Sequence, residues 1–321
     1  MKNPAFFQGS KRKRRYFEGW YFKCISADRK HAIAFIPGMA VDANGKKHAF
    51  IQLIDAVAGK TWYFHFPYDD FKSRTDDFSI QIGPNRFDSQ GLTIDIDQPD
   101  GRVKGQLQFS GAHLFPYHWY NPGIMGPFSF FPWMECYHAI IHLDHQIQGV
   151  IELNGEILDL TGGAGYIEKD FGRSFPRTYL WLQASHFDNG NASFVFSRAR
   201  IPFLGSEFPG FFAYFTDLKG LAVRFATYNR SHLSNWQVDP EQRTCSGELT
   251  GPAGTLVFSA RMAGGGRLRA PVDGLMDREI IESITALVSV RLTSPTGQLL
   301  YEGTSGESGM EICMAVHRPT I

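Results

Sequence analysis

Hydrophobic and polar residues alternate with a period of two along almost the whole chain. The segments HAIAFI (31–36), TWYFHF (61–66) and LTIDIDQ (92–98) alternate or run apolar over the length of one strand. Turn sequences such as DANGKK (42–47) and QPDGR (98–102) separate these segments. Such spacing of short strands and turns is typical of an antiparallel meander. The pattern therefore predicts an all-β protein.

The second half of the chain continues this pattern, for example in TYLWLQASHF (178–187) and GTLVFSARM (254–262). Asn154-Gly155 lies between two alternating segments and predicts a two-residue hairpin turn. Only LMDREIIESI (275–284) could form a short helix. About twenty strands are too many for one small barrel, since roughly eight already enclose a ligand-sized interior. We therefore expect two tandem antiparallel β-barrels, with domains at residues 1–172 and 173–321.

Composition adds an excess of aromatic residues, with 28 Phe, 12 Tyr and 6 Trp in 321 residues. That excess indicates a thick core, a large interface or an apolar ligand cavity. The net charge is zero, so nothing indicates a nucleic-acid partner. The basic segment KRKRR (11–15) predicts a solvated arm. The alternative is a peripheral contact with an anionic membrane, aided by Phe6 and Phe7.

The four cysteines are far apart in sequence and have no zinc-binding spacing. Because no signal-like or 18-residue apolar segment is present, we expect a cytoplasmic protein with reduced thiols. Its oligomeric state is left open. In a regular strand His138 and His142 would share one face while His145 would point to the other. We therefore expect no metal site from these three histidines.

Charged residues lie within strongly aromatic segments at two places. Glu168, Lys169 and Asp170 are flanked by aromatic residues in GYIEKDFGRSFP (165–176), and Glu135 lies in GPFSFFPWMECYH (126–138). Burying charges is costly unless they are paired, and apolar surroundings raise the pKa of a carboxyl group. No GxSxG elbow or cysteine nucleophile signature accompanies them. The pattern therefore favours general acid–base chemistry on an apolar substrate.

These motifs resemble the tocopherol cyclase family, which is distantly similar to carotenoid hydratases and other lipocalin-like proteins. The similar segments are YFEGWYFK (16–23), GPFSFFPWMECYH (126–138), GYIEKDFGRSFP (165–176), YLWLQASHF (179–187) and APVDGLMDREIIES (270–283). The resemblance implies two tandem lipocalin-like β-barrels with a lipophilic pocket. It also implies a cyclase that protonates the alkene of a prenylated hydroquinone or a similar lipophilic prenyl compound, whose phenol oxygen then closes a chromanol-type ring. A related hydratase or isomerase is the other enzyme that the resemblance allows. Neither a metal nor another cofactor is expected.

The resemblance also implies roles for individual residues. Glu168 is the expected proton donor, and Lys169 is a charge partner that holds the segment in place. Asp170 is a further catalytic candidate, although plant members carry an amide there and a Trp in place of Phe171. Glu135 and His138 would orient the phenol or relay a proton. The expected substrate-binding residues are Glu18, Trp20, Tyr21, Trp119, Phe130, Trp133 and Trp181.

Two alternatives stay open at this point. A lipocalin-like barrel can be a non-catalytic carrier of a lipophilic molecule, because a fold does not decide a function. The change at Asp170 and Phe171 favours the carrier. The Glu-Lys-Asp cluster could also be a purely structural clamp, since ion-pair networks perturb pKa values too.

Overall fold

The computed structural model describes residues 3–203 and 206–314, with the side chain of residue 203 left out. The described chain is built from antiparallel strands that form two compact units. The first unit comprises the chain up to Phe175 together with Gly266–Glu279. The second comprises Pro176–Gly265 and the chain from Ile280 onward. The prediction of an all-β chain with tandem lipocalin-like antiparallel barrels is confirmed. The domain limits at residues 172 and 173 stay a prediction.

The first twelve strands belong to the first unit. They are β1 (Tyr16–Ile25), β2 (Ala32–Val41), β3 (Lys47–Asp55), β4 (Lys60–Pro67), β5 (Phe71–Ser73), β6 (Ser79–Ile82), β7 (Asn85–Asp88), β8 (Gly91–Gln98), β9 (Gly101–Leu114), β10 (Cys136–Leu153), β11 (Glu156–Asp159) and β12 (Ala164–Gly172). Three short 3-10 helices accompany them at Gly9–Lys11, Tyr68–Asp70 and Gly126–Phe130.

Two meanders form the sheet of the first unit, and β12 joins them. The strand order is β4-β3-β2-β1-β12-β10-β9-β8-β7-β6-β5, with β11 paired to β10. The strand with the Glu-Lys-Asp cluster thus lies between β1 and β10, and both neighbours fix its register. Phe22 of β1 packs near Phe78, Phe87 and Phe109, which come from distant parts of the meander.

The remaining ten strands follow Phe175 in the chain. They are β13 (Tyr179–Phe187), β14 (Gly190–Phe203), β15 (Ser206–Thr216), β16 (Ala222–Ala226), β17 (His232–Asp239), β18 (Thr244–Gly251), β19 (Gly254–Arg261), β20 (Gly266–Val272), β21 (Leu275–Thr293) and β22 (Leu299–Cys313). Their order is β16-β15-β14-β13-β22-β21-β19-β18-β17, and β20 pairs with β21. Phe194, Phe196, Phe215, Phe225 and Phe258 are central to the core of the second unit.

The structure decides two local expectations. Asn154-Gly155 is the predicted hairpin turn between β10 and β11, and both residues have the positive φ angles, 52° and 89°, that such a turn requires. The helix expected at residues 275–284 is wrong, because this segment lies in β21. Met276, Ile280 and Ile284 are buried there in a pattern compatible with a strand.

Candidate functional site

The charged cluster divides between the two faces of β12. Side chains alternate along a strand, so Tyr166, Glu168 and Asp170 share one face while Lys169 lies on the other. Tyr21 of β1 is directly opposite Glu168 and therefore lies on the same face. The consecutive charges thus serve two separate groups of contacts.

On the Lys169 face, a buried ion pair holds the N-terminal segment. The Nζ of Lys169 lies 2.6 Å from Oε1 of Glu18, and neither side chain is exposed. The same ammonium group donates hydrogen bonds to the carbonyl oxygens of Pro4 and Phe6, at 2.8 and 2.6 Å. Glu18 in turn accepts the backbone N–H of Gln8 at 2.9 Å. The ion pair therefore binds backbone carbonyl oxygens as well as a backbone N–H group of residues 4–8.

Aromatic rings surround this ion pair. The Nζ of Lys169 lies 4.6 Å from the ring centroid of Trp20 and 4.8 Å from that of Phe171, distances at which cation–π attraction operates. Burial lowers the pKa of Lys169, and the Glu18 carboxylate opposes this effect. Trp20 also donates its indole N–H to the Ala5 carbonyl at 2.9 Å. Glu18 and Trp20 thus lie on the Lys169 face, away from Glu168.

On the opposite face, a chain of close polar contacts connects Asp170, His138 and Glu168. His138 of β10 pairs directly with Asp170 of β12, and its Nδ1 lies 3.0 Å from the Asp170 Oδ1. Its Nε2 lies 3.4 Å from Oε2 of Glu168. The Glu168 side chain is 6% exposed, whereas that of Asp170 is 25% exposed. The imidazole thus connects a buried carboxyl group with one that solvent can reach.

Tyr166 completes this group, although the sequence analysis did not select it. Its hydroxyl donates a hydrogen bond of 2.7 Å to the Oε2 of Glu168. Burial raises the pKa of Tyr166 well above its usual value, and the negative charge of Glu168 raises it further. The hydroxyl is therefore a stable donor at neutral pH. Its position two residues before Glu168 in a strand is the sequence signal that would have found it.

Neighbouring sulfur atoms contact the same chain of groups. The Sγ of Cys136 lies 3.8 Å from Oδ1 of Asp170, so Cys136 and His138 share the strand face as the alternation predicts. The backbone N–H of His138 donates to the sulfur of Met125 at 3.1 Å. Met125 lies in the loop between β9 and β10, which therefore contacts β10 beside the imidazole.

His138, Glu168 and Asp170 could also hold a metal ion. Each offers one ligand atom, and these atoms lie within 4.8 Å of one another. An imidazole with two carboxylates is a donor set that suits several divalent ions. The contact of 3.0 Å between His138 and Asp170 also suits a direct hydrogen bond. The expectation that no metal is needed stays a prediction.

Glu135, a further acidic candidate, makes an ion pair with Arg173. Its carboxylate is 3.5 Å from Arg173, whose guanidinium also lies 3.0 Å from the carboxylate of Asp273. The Arg173 side chain is half-exposed. Exposed pairs of this kind contribute little stability.

The predicted aromatic wall is dispersed. Tyr21 is buried on the Glu168 face. Trp119, Phe130 and Trp133 are exposed on the loop between β9 and β10. Trp181 is buried on β13 of the second unit. Within the first unit, the structure therefore brings together Glu168, Asp170, His138 and Tyr21, and places the three loop aromatics at the surface.

The histidines of β10 depart from regular alternation. Register shifts occur between Ile140 and His142 and again between His142 and His145. As a result, His142 and His145 meet, with 3.2 Å between their Nδ1 atoms, although the regular pattern predicted opposite faces. That expectation is wrong because bulges change which face a side chain occupies.

A groove in the second unit has a different character. It measures about 530 Å³ and lies beside strands β17, β18, β19 and β21. Its lining includes Gln237, Asp239, Gln242 and Arg261. Val238, Cys245, Ala260 and Leu287 also line it, so polar and apolar side chains are mixed in this groove. Among the described residues, no helix is long and apolar enough to span a membrane.

The fold and this site define an all-β, lipocalin-like protein with a buried carboxyl–imidazole chain. The chain belongs to the tocopherol cyclase-like family, whose model matches residues 117–314. The resemblance seen in the sequence motifs is thereby confirmed. Membership supports an enzymatic function of a general cyclase-like kind. The matched range includes Glu135, His138 and Glu168 and begins after β1.

Solved structures show the same fold at low sequence identity. A candidate AttH protein from Nitrosomonas europaea is 14% identical, with a TM-score of 0.55, over 92% of this chain and 91% of that one. CghA is 11% identical, with a TM-score of 0.58, over 94% of this chain and 89% of that one. CghA with Sch210972 is 12% identical, with a TM-score of 0.59, over 93% and 88%. No curated protein sequence matches the chain.

Proposed function

We propose that the protein is a cofactor-independent enzyme that cyclises a prenylated hydroquinone, or a similar lipophilic prenyl compound, by acid catalysis. Glu168 is the acid. The observation that carries the proposal is the placement of His138 between the carboxyl groups of Glu168 and Asp170. A buried acid needs a route by which its proton is replaced, and this chain of groups provides one.

The proposed reaction conserves protons. The Glu168 O–H bond breaks as a C–H bond forms at the less substituted alkene carbon, which leaves a tertiary carbocation. The phenol oxygen of the same substrate then forms the new C–O bond and loses its proton. That proton returns to Glu168 through His138. The substrate and the product have the same atoms, and no electron acceptor is needed.

The surroundings of Glu168 suit this chemistry. Its side chain is only 6% exposed, so bulk water is largely kept from the carboxyl group. The hydroxyl of Tyr166 fixes the orientation of the carboxyl group through Oε2. Tyr21, directly opposite on β1, presents an aromatic ring on the same face. Aromatic rings near a developing cation are favourable through their quadrupole.

Turnover of a prenylated hydroquinone in deuterium oxide tests the proposal. The wild-type product should carry one carbon-bound deuterium at the protonated alkene carbon. Glu168→Gln should lower kcat by about 100-fold or more, as loss of a general acid does, while substrate binding is retained. Glu156→Gln, on an exposed position of β11, is the matched control and should match the wild type.

Three outcomes separate the alternatives. Ligand binding without turnover in both wild type and Glu168→Gln would make the protein a carrier. Loss of turnover on treatment with a chelator, restored by a divalent ion, would assign His138, Glu168 and Asp170 to a metal. Full turnover by Glu168→Gln would place the acid elsewhere.

A further inference from the structure

The loop between β9 and β10, residues 115–135, concentrates exposed aromatic side chains; we call it the aromatic loop. Trp119 is 82% exposed and Trp133 is 62% exposed, and Tyr117, Tyr120 and Phe130 are exposed as well. Among the described residues, every exposed Phe, Tyr or Trp side chain lies on this loop. A concentration of exposed aromatic side chains on one segment indicates an interaction site.

The basic segment, Lys11–Arg15, is fixed in place at both ends. Before it, residues 4–8 are bound by the buried Lys169–Glu18 pair. After it, the backbone N–H of Arg15 donates to the carbonyl of Asp42 at 3.0 Å, and β1 begins at the next residue. All five side chains of the segment are exposed. The segment is therefore an ordered part of the surface.

The turn between β2 and β3 adds two further positive charges beside the basic segment. The backbone of Gly45 lies against the carbonyl oxygen of Lys13 and the side chain of Arg14. Lys46 and Lys47 follow directly and are exposed. Seven basic residues thus occupy this part of the first unit, and Asp42 lies among them.

Tyr137, the second residue of β10, connects the two features. Its hydroxyl donates to the carbonyl of Phe131, in the aromatic loop. Phe131 packs 5.5 Å from Trp133 between ring centroids. The Arg12 guanidinium lies over the Tyr16 ring at 5.4 Å. The ring of Tyr137 stacks on that of Phe171, with 4.9 Å between centroids. Phe171 lies directly opposite Glu18, which accepts the hydroxyl of Tyr16, so Tyr137 and Tyr16 lie on the same face of the sheet.

We propose that the aromatic loop and the basic segment together form a docking surface for an anionic lipid bilayer. Trp and Tyr rings are favoured at the level of the lipid headgroups, where an apolar body and a polar edge are both satisfied. Clustered Lys and Arg residues attract anionic headgroups. The positive charge favours such a bilayer over a second copy of this chain, which would bring the same positive surface to the contact.

This surface differs from the one expected from the sequence. Phe7 is buried and packs against Phe71 at 5.3 Å between ring centroids. Phe7 therefore does not aid a membrane contact as the sequence suggested, because the Lys169–Glu18 pair holds its segment against the first unit. A role for Phe6 in such a contact stays a prediction. The aromatic loop supplies the apolar groups instead.

Vesicle co-sedimentation of the full chain tests the proposal, using phosphatidylcholine vesicles with and without phosphatidylserine. We expect binding to the anionic vesicles that weakens as salt is raised. Trp119→Ser with Trp133→Ser should weaken it about tenfold or more. Lys13→Gln with Arg14→Gln should weaken it and flatten its salt dependence. Val257→Ser, at an exposed position of the second unit, is the control and should bind as the wild type does.

A depth measurement adds an independent readout. Brominated lipids should quench the tryptophan fluorescence of the wild type in anionic vesicles, and much less that of the Trp119→Ser, Trp133→Ser protein. Absence of binding to anionic vesicles would overturn the proposal, as would equal binding by all variants. Concentration-dependent self-association that the two Trp substitutions abolish, without vesicle binding, would assign the surface to a second copy. None of these measurements needs turnover, so the docking surface is tested independently of the proposed cyclisation.

Discussion

Lys169 and Glu18 form an ion pair of 2.6 Å in which neither side chain is exposed to solvent. Each partner also uses its remaining hydrogen-bonding capacity. Lys169 binds two carbonyl oxygens, and Glu18 accepts the hydroxyl of Tyr16 at 2.6 Å. Both charges lost their hydration when the chain folded, so each depends on the other. The middle charge of the Glu-Lys-Asp cluster therefore anchors the N-terminal segment.

Removing one partner of this pair should destabilise the protein severely. Lys169→Met leaves the Glu18 carboxylate buried without its counter-charge, and we expect a loss of about 3 kcal/mol or more in the free energy of unfolding. Adding Glu18→Gln to Lys169→Met should cost less than the sum of the two single changes. Urea denaturation measures all three. Lys104→Met, in an exposed pair with Asp95, should leave the midpoint almost unchanged. Additive effects at Lys169 and Glu18 would contradict the coupling.

Asp170 should act on the reaction through His138. Asp170→Asn removes the charge that holds the imidazole through Nδ1, and we expect kcat to fall by about tenfold with little change in KM. The pH dependence of kcat should change as well, which a merely structural role would not cause. An unchanged pH profile with a raised KM would instead make Asp170 a residue for substrate binding.

Tyr166→Phe should alter the pH range in which the enzyme works. The Tyr166 hydroxyl hydrogen-bonds to Oε2 of Glu168, and such a bond favours the ionised form of a carboxyl group. Its loss should move the alkaline limit of turnover to higher pH. A pH–rate profile of kcat checks this shift, and an alkaline limit at lower pH would contradict the assignment of Glu168 as the acid.

His142 and Asp144 should give opposite contributions to the pH dependence of stability. Burial lowers the pKa of His142 to about 4. Between pH 6.5 and 4, His142 is therefore protonated in the unfolded chain but stays neutral in the folded protein. Acidification from pH 6.5 towards 4 therefore favours the unfolded chain and lowers the free energy of unfolding. Burial raises the pKa of Asp144 to about 6, and His113 opposes the rise. The stability that protonated Asp144 gives the folded protein is therefore lost as the pH rises from about 4 to 6.

Single substitutions should expose each contribution. Relative to wild type, His142→Asn should gain stability on acidification from pH 6.5 to 4.5, by up to about 2 to 3 kcal/mol. Asp144→Asn should lose stability relative to wild type over the same range. Urea denaturation at several pH values measures both differences. Parallel profiles for the three proteins would show that neither group titrates abnormally.

Gly165 should tolerate no side chain. A Cβ atom there would lie 2.3 Å from the Nε2 of His145 and 2.8 Å from the backbone oxygen of Lys23. Gly165→Ala should therefore cost about 1 to 3 kcal/mol through overpacking. Gly306→Ala is the matched control, because its Cβ atom would meet nothing within 4 Å. Thermal denaturation compares the two, and equal midpoints would contradict the close packing at Gly165.

The sequence by itself determined the all-β fold, because strand alternation and turn residues are local properties of the chain. It also determined the Asn154-Gly155 hairpin, whose positive φ angles few other residues adopt. The aromatic and acidic composition of residues 165–176 was sufficient to select the segment.

Only the tertiary structure decided which partners these charges have. Lys169 meets Glu18 because β1 and β12 are neighbours in the sheet, and Glu168 meets His138 because β10 lies on the other side. The bulges of β10 then bring His142 and His145 together against the regular pattern. Strand pairing between distant segments and local bulges depend on packing across the whole sheet. For that reason the period of two specifies a side chain's face within a regular strand but leaves its long-range contacts undetermined.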